Sequence, residues 1–471
     1  MSTFIFFYNF AENIFCCKFI MEPLYKIKKG LDINLDGVAR KESKRLSPSV
    51  EYAISPSDFT GVSPRLVVKE GDNVKAGDTL FVDKATERIC FVAPVGGKIV
   101  AIERGERRKL QSIRIKYSEA QEYKENEKLK LESASREDVL EYLLGSGMFA
   151  YIRQRPYDVI ASPADSPKAI FVSAFSKMPL AADVSYVLEG REEDFKLGVQ
   201  LLSKLAPVYL GISPEQINTA ILPVAEAKVC VFDGPNPSGN VGVHINHVSP
   251  INKGEIVWTV GAEIVAMMGV LVRTGQINLT RRVAVAGSCV AHPSYVEAII
   301  GTPLADLLSN QIDMTAEHIR IINGNPLVGV IAAGNDSLGS FNTEVCVIPE
   351  GDDVHEVLGW IRPRLHDFST NRSYFSWLMG HSKSYNLDCR IKGGQRHMIM
   401  SAEYEKVFPM DIYPSYLIKA IITGDIDRQE ALGIYEVAPE DFAVAEFVDS
   451  SKLELQRIVR EGLDILRKEN S

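Results

Sequence analysis

Ala169-Ile170-Phe171-Val172-Ser173-Ala174 is a compact apolar run of strand length, the composition expected of a strand buried on both faces. After it, Phe195, Val199, Leu202 and Leu205 recur at helical spacing, Ser213-Pro214-Glu215 opens a further helix, and Val229-Cys230-Val231-Phe232 forms a second buried strand. Parallel strands need a crossover that packs back on the sheet. Strand, helix, helix, strand therefore predicts an α/β layer over a parallel sheet.

Upstream, Ser135-Arg136-Glu137-Asp138 ahead of Val139, Leu140, Leu143 and Leu144 reads as an N-cap with an acidic third position, and Gly145 as the C-cap of the same helix. Gly145-Ser146-Gly147-Met148-Phe149-Ala150 has the GxGxxA spacing of a dinucleotide loop. That loop holds pyrophosphate only where a strand leads in and a helix N-terminus leads out. Here a helix leads in, so the run reads as a helix-terminating turn. Earlier still, Val67 to Leu80 and Ile89 to Ile102 alternate apolar strand positions with Glu70-Gly71-Asp72 and Ala76-Gly77-Asp78 turns. Together these two runs resemble the flattened β-barrel of lipoyl and biotinyl carrier domains, the barrel-sandwich hybrid. Asp83-Lys84-Ala85 then matches the hairpin tip whose lysine carries lipoate. A swinging arm needs a flexible tether so that its lysine can visit several sites. None follows, because the charged stretch 118–137 leads directly into the helix. Lys84 reads as a solvated turn lysine, with a lipoyl-type carrier module kept as an alternative.

Downstream, Asp233-Gly234-Pro235-Asn236-Pro237-Ser238-Gly239-Asn240-Val241-Gly242-Val243-His244-Ile245-Asn246-His247-Val248 follows a buried strand. A glycine-rich loop past the carboxyl end of a strand lies where an α/β sheet opens its crevice, and N–H groups freed at Gly239 and Gly242 can meet an anionic or carbonyl oxygen. His244 and His247 can donate to a quinone carbonyl or pass a proton, since imidazole titrates near neutral pH. The alternative is a tight loop with structural histidines. No third ligand is suitably spaced, so no metal is expected there. Ser288-Cys289 lacks the GxSxG elbow, and HExxH is absent, which leaves the catalytic residues unknown. Arg282 to Gly287 and His318 to Gly324 read as strands, Pro414 to Thr423 as a helix, and Asp427-Arg428-Gln429-Glu430 as a capping box. Leu455, Ile458, Val459, Leu463 and Leu466 form one apolar helical stripe ending in Arg467-Lys468. The expected divisions are a barrel over 21–133, an α/β domain over 134–265, a mixed β segment over 266–350 and helices over 351–471. Residues 1–20 are apolar but interrupted by Asn9, Glu12, Asn13 and Lys18, without a basic n-region or small-residue cleavage site. They are expected to be an extension or a mis-assigned start ahead of Met21.

Of the 471 residues, 46% are hydrophobic and 24% charged, a globular composition that excludes a disordered or collagenous chain. Lys+Arg 52 against Asp+Glu 61 gives a net charge of −9, which argues against nucleic acid as a partner. The seven cysteines are scattered and form no CxxC, as expected of reduced cytoplasmic thiols rather than a disulfide, zinc or iron–sulfur framework.

Four segments in order resemble one known family, the NqrA family, which supplies the A subunit of the sodium-translocating NADH:quinone reductase. They are Lys26-Ile27-Lys28-Lys29-Gly30-Leu31-Asp32-Ile33, the barrel run Ala93 to Arg108, the loop Gly239 to Ile245, and Phe408-Pro409-Met410-Asp411-Ile412-Tyr413-Pro414, so that the resemblance spans about residues 21–468. It implies a peripheral subunit of a membrane complex on the cytoplasmic side of the bacterial inner membrane, taking part in quinone reduction coupled to Na+ export. Its partners would be quinone and the other Nqr subunits, especially the membrane-embedded B subunit. By similarity to the flavin-binding subunit of respiratory complex I and to the C subunit of the Rnf complex, it also implies a Rossmann-like second domain, a ubiquitin-like β-grasp third domain and a helical C-terminal domain. The Rnf relative's CxxCxxCxxxCP motifs are absent, and the α/β layer shows no glycine-rich flavin loop. No cofactor is therefore expected on this chain; NADH, flavins and iron–sulfur would be handled by other subunits. A cluster-free Rnf-type subunit is the alternative. Because anionic headgroups repel a −9 chain without basic clusters, protein partners are expected to hold it at the membrane.

Overall fold

The computed structural model describes residues 24–470 apart from 223, 313–316, 356–357, 359–363, 371, 373 and 381–382, so the expectation for residues 1–20 lies outside the described residues. Four strands, β1 (Ala169–Ser173), β2 (Val208–Ile212), β3 (Ala227–Asp233) and β4 (Val257–Gly261), run parallel in the order β3-β2-β1-β4. Tyr25–Lys26 adds in parallel outside β3, and Arg153–Arg155 antiparallel outside β4. Helices α1 (Glu192–Ser203), α2 (Val241–Val248) and α3 (Ala262–Thr274) cover the sheet.

Side-chain alternation along the strands divides the core. Ile170, Val172, Val229 and Val231 point into the cluster that holds Val199 of α1 and Leu271 of α3, while Phe171 and Phe232 join Val243 of α2 and the C-terminal helices. At the α1/α3 crossing a methyl group on Gly198 would stand 1.9 Å from the Val265 carbonyl oxygen, and one on Gly269 1.8 Å from that of Asp194. Only glycine permits this backbone-to-backbone approach.

Two details depart from the sequence expectation. Val208-Tyr209-Leu210-Gly211-Ile212 is a strand, β2, and the helix expected from Ser213 is a single 3-10 turn, Pro214–Gln216. The short buried run rich in β-branched and aromatic side chains suits a pleated surface better than a helix. The division expected at 265 also falls inside α3, which crosses it without a break.

Glu51–Ile54, Leu110–Tyr117, Gly97–Arg104 and Asn73–Val74 form one sheet of a barrel-like module, and Pro64–Leu66, Thr79–Asp83 and Cys90–Val92 the other. Phe91 packs at 4.5 Å from Phe59 and 4.4 Å from Phe81 in its core. The strands of the two sandwich sheets run from Glu51 to Tyr117, and the preceding strand Arg40–Arg45 pairs in parallel with Ser294–Ile299. That pairing belongs to a third sheet, ordered Val330–Ala332, Ile319–Asn323, Glu344–Pro349, Thr280–Ala286, Ser294–Ile299, Arg40–Arg45, with Thr280–Ala286 and Glu344–Pro349 parallel at its centre.

The helix Arg136–Ser146 carries the expected capping box, Ser135 with Asp138. Its left-handed cap is Gly147 at φ 84°, not Gly145, which stays helical. The GxGxxA run is thus a helix stop. Towards the C-terminus lie the helices Tyr404–Val407, Pro414–Thr423, Ile426–Ala431, Ala443–Val448 and Leu455–Glu469. Asp425 caps Ile426–Ala431 by accepting from the Arg428 N–H, whereas Asp427 of the expected box lies inside the helix. Among the described residues no helix is long and apolar enough to cross a membrane.

Candidate functional site

The glycine-rich run after β3 is half loop and half helix. Asn240 is the N-cap of α2, so Gly242, His244 and His247 stand on a helix and only residues 234–240 form the loop. Gly239 is set against the end of β1: its carbonyl oxygen accepts from Ser173 Oγ at 2.8 Å. A methyl group on Gly242 would meet the Asp441 carboxylate at 2.4 Å and Arg155 Nη1 at 2.6 Å. Glycine there admits a buried ion pair rather than a ligand.

The histidines differ from expectation. His244 is 1% exposed, stacked on Phe232 at 4.0 Å and Phe175 at 5.6 Å, with Nε2 3.0 Å from the Ser238 carbonyl oxygen. That oxygen can only accept, so the proton sits on Nε2. Burial pushes the imidazole down to about 3, so it is neutral throughout the physiological range. His247, one turn on, bonds the Val243 carbonyl through Nδ1 at 2.9 Å and presents its ring to Tyr25 and Phe232. Neither imidazole lines the nearby cleft.

That cleft, of about 320 Å³, opens where the strand order reverses between β1 and β4, beside Ser173, Gly239 and Gly261. This is where open α/β sheets bind ligands. Of the four residues singled out in the loop, Gly239 is the one that lines it. Its floor holds Glu263 at the start of α3, 5% exposed, and Arg281 from the third sheet, 1% exposed, with Nε 3.3 Å from Glu263 Oε1. Burial raises the Glu263 carboxyl, against the pull of Arg281 and Arg191. Arg281 is anchored by donating to the carbonyl oxygens of Asn342 at 2.7 Å and Ser340 at 3.1 Å. Arg153 lies 4.3 Å over the Phe341 ring at the rim.

Glu440, at the cleft mouth, belongs to a charged triad. Arg155, next to β4 and 1% exposed, donates to Asp441 Oδ2 at 2.7 Å, to Glu440 Oε1 at 3.0 Å and to the Glu436 carbonyl at 2.6 Å. Asp441 is equally buried, while the Glu440 side chain keeps 40% of its surface at the cleft mouth. The surrounding protein mass, with the neighbouring Asp441 charge, nevertheless pushes the Glu440 carboxyl up to about 7, against the pull of Arg155. Sequence patterning missed Glu440 and Arg155, because 285 positions separate them and neither stands in a motif.

Other expectations resolve simply. Lys84 is exposed on a turn tied by the Asp83 carboxylate, which accepts from Ser63 N–H at 2.9 Å and Thr86 N–H at 3.1 Å. Ser288 Oγ donates to Asn386 and burial raises the Cys289 thiol, so neither is an activated nucleophile. Among the described residues, one group of three or more His, Cys, Asp or Glu side chains comes within metal-binding distance. It is His318, Asp352 and Asp353, all exposed, with His318 Nδ1 bonded to Asp352 at 2.7 Å.

Three family models match the chain in order: the NqrA N-terminal barrel-sandwich hybrid domain over residues 25–118, the NqrA second alpha/beta domain over 134–277, and the NQRA C-terminal domain over 282–334. The A subunit of the Na(+)-translocating NADH-quinone reductase of Hahella chejuensis is 34% identical over 450 residues, covering 95% of this chain and 100% of that protein. Its counterpart from Neisseria meningitidis serogroup B is 34% identical over 455 residues, with coverage of 95% and 100%. That of Haemophilus influenzae strain PittGG is 35% identical over 451 residues, with coverage of 94% and 99%. These matches support neither the carrier nor the Rnf-type alternative.

Proposed function

The chain belongs to the NqrA family, the A subunits of the Na(+)-translocating NADH-quinone reductase, and from that premise we propose that it is the peripheral subunit through which this complex reduces quinone while exporting Na+. The observation that carries the reading is colinearity: three domain models in family order, and about a third identity across the full length of the relatives. In this reading the second domain is Rossmann-like, the third sheet with its central parallel pair is a β-grasp domain, and the last helices form a domain of their own. The divisions are those expected from sequence, with the second moved from 265 to about 276 so that α3 stays whole. The chain docks on the cytoplasmic face of the inner membrane against its partner subunits, the membrane-embedded B subunit among them.

At the cleft, Glu263, Asp158 and Glu440 line the same walls as Arg153 and Arg281. A phosphate there would face carboxylates, which supports leaving flavin to other subunits. A quinone headgroup is neutral and needs two electrons and two protons to become the hydroquinone. Electrons would arrive from neighbouring subunits, while the backbone around Gly239 offers N–H groups to a carbonyl and Glu440 holds a proton near neutral pH. His244, His247 and Gly242 act here as the packing that fixes the loop. The test is a strain lacking this chain: its inverted membrane vesicles should lose NADH-driven Na+ uptake and quinone reduction, and re-expression should restore both. Undiminished Na+ uptake in the deletion strain would refute the assignment.

A further inference from the structure

Residues 361–400 invert the charge of the molecule. They hold seven arginines and lysines against two aspartates, a local excess of five positive charges in a chain of net −9. Both aspartates are engaged within the segment: Asp367 pairs with Arg364 at 2.6 Å and Lys392 at 3.1 Å, and Asp388 with Arg390 at 2.6 Å. Among the described residues, Arg372 and Lys383 have no carboxylate partner. Arg372 instead lies 5.1 Å over the ring of Trp377.

The same stretch exposes apolar surface. Trp377 belongs to the short turn Phe375–Met379, in which Phe375, Trp377, Leu378 and Met379 are 55%, 45%, 64% and 49% exposed. Of the 23 strongly exposed large hydrophobic side chains among the described residues, eight fall between 361 and 400, about a twelfth of the chain, so the exposure is concentrated rather than scattered. A turn of Trp, Phe, Leu and Met beside arginine and lysine is the composition that partitions into the headgroup region of a bilayer. The aromatic rings sit at the interface and the cations meet lipid phosphates.

We infer that the Phe375–Met379 turn, with Arg372 and Lys383, is a lipid foot that rests on an anionic bilayer surface. Charge complementarity selects the occupant, since a positive segment on a negative protein orients that face towards anionic headgroups and turns the rest of the surface away. The inference rests on the assignment to a membrane complex, and adds a direct lipid contact to docking on protein subunits.

Vesicle flotation with the purified full-length chain tests it without any other subunit. The chain should float with vesicles containing phosphatidylglycerol and not with phosphatidylcholine vesicles, and high salt should release it. Phe375→Ser/Trp377→Ser should lower the affinity about tenfold or more, and Arg372→Gln/Lys383→Gln by a comparable factor through loss of two charges. The exposed control Val330→Ser should bind as the unaltered chain does, and a thermal melt of each variant establishes that it is folded. Equal flotation of folded patch variants and parent overturns the lipid foot. So does the absence of flotation from anionic vesicles, and in that case loss of complex assembly by the same variants assigns the surface to a partner protein instead. Failure here leaves the Na+ uptake result untouched, so the two readings fall separately.

Discussion

His244 lies in the first turn of α2 and Glu440 is tied to its N-cap, yet the first is wholly buried, the second keeps 40% of its side chain exposed, and their surroundings differ in kind. The imidazole is sandwiched between Phe232 and Phe175 and makes one hydrogen bond, to the Ser238 carbonyl. The carboxyl shares a guanidinium with Asp441, and its own backbone carbonyl accepts from the Asn240 side chain. Burial drives both shifts, taking the imidazole down to about 3 and, together with the Asp441 charge and against the pull of Arg155, the carboxyl up to about 7. The same cause therefore leaves one group neutral by losing a proton and the other neutral by holding one.

Arg155→Met breaks the comparison most severely. It keeps most of the side-chain volume but strips the charge that compensates Asp441, 1% exposed, and Glu440. Removing one partner of a buried ion pair costs about 3–5 kcal/mol. Chemical denaturation should therefore show a loss of that order. A loss below about 1 kcal/mol would mean that the carboxylates are already neutralised by protons or water, as the His244 ring is by burial.

His244→Ala comes next, at about 2–4 kcal/mol, from a cavity between two rings and an unpaired Ser238 carbonyl. Its pH dependence sharpens the contrast. The folded imidazole has its pKa pushed down to about 3 from 6.5, so its stabilisation is complete above 6.5 and is lost as pH falls towards 3. Each unit of that window is worth about 1.4 kcal/mol. His244→Gln retains a donor for Ser238 without titrating, and melts between these limits should be flatter for it than for the unaltered chain. An identical slope in both would show that the ring is open to protonation.

Local patterns carried much of the fold. The capping box at Ser135, the strands at Ala169 and Ala227, the helix from Pro414 and the stripe Leu455, Val459, Leu463, Leu466 were legible because each depends on near neighbours in sequence. β2 was missed because five apolar residues satisfy either period. The candidate site was half legible. The loop after β3 does end at the crevice, and Gly239 lines it. The histidines drew attention by residue type, but helix geometry turned His244 into the core and left His247 half-buried against Tyr25 and Phe232, and no spacing rule reports that Arg155 and Glu440 meet. Whole-chain charge misled in the same way, since −9 concealed the positive stretch 361–400.

Glu440→Gln should have the smallest effect on stability and the most specific one on chemistry. Raising a carboxyl from its ordinary 4.5 to about 7 means that the folded state binds the proton more tightly than the unfolded state. Its stabilisation is therefore complete below 4.5 and lost as pH rises to 7, opposite in sign to that of His244. The glutamine variant, neutral at every pH, should flatten that descent and leave acid stability unchanged. In the assembled complex the same change should slow quinone reduction most where Glu440 is normally protonated, below about 7, and least above it. A uniform slowing at all pH values would mark Glu440 as a packing residue like His244.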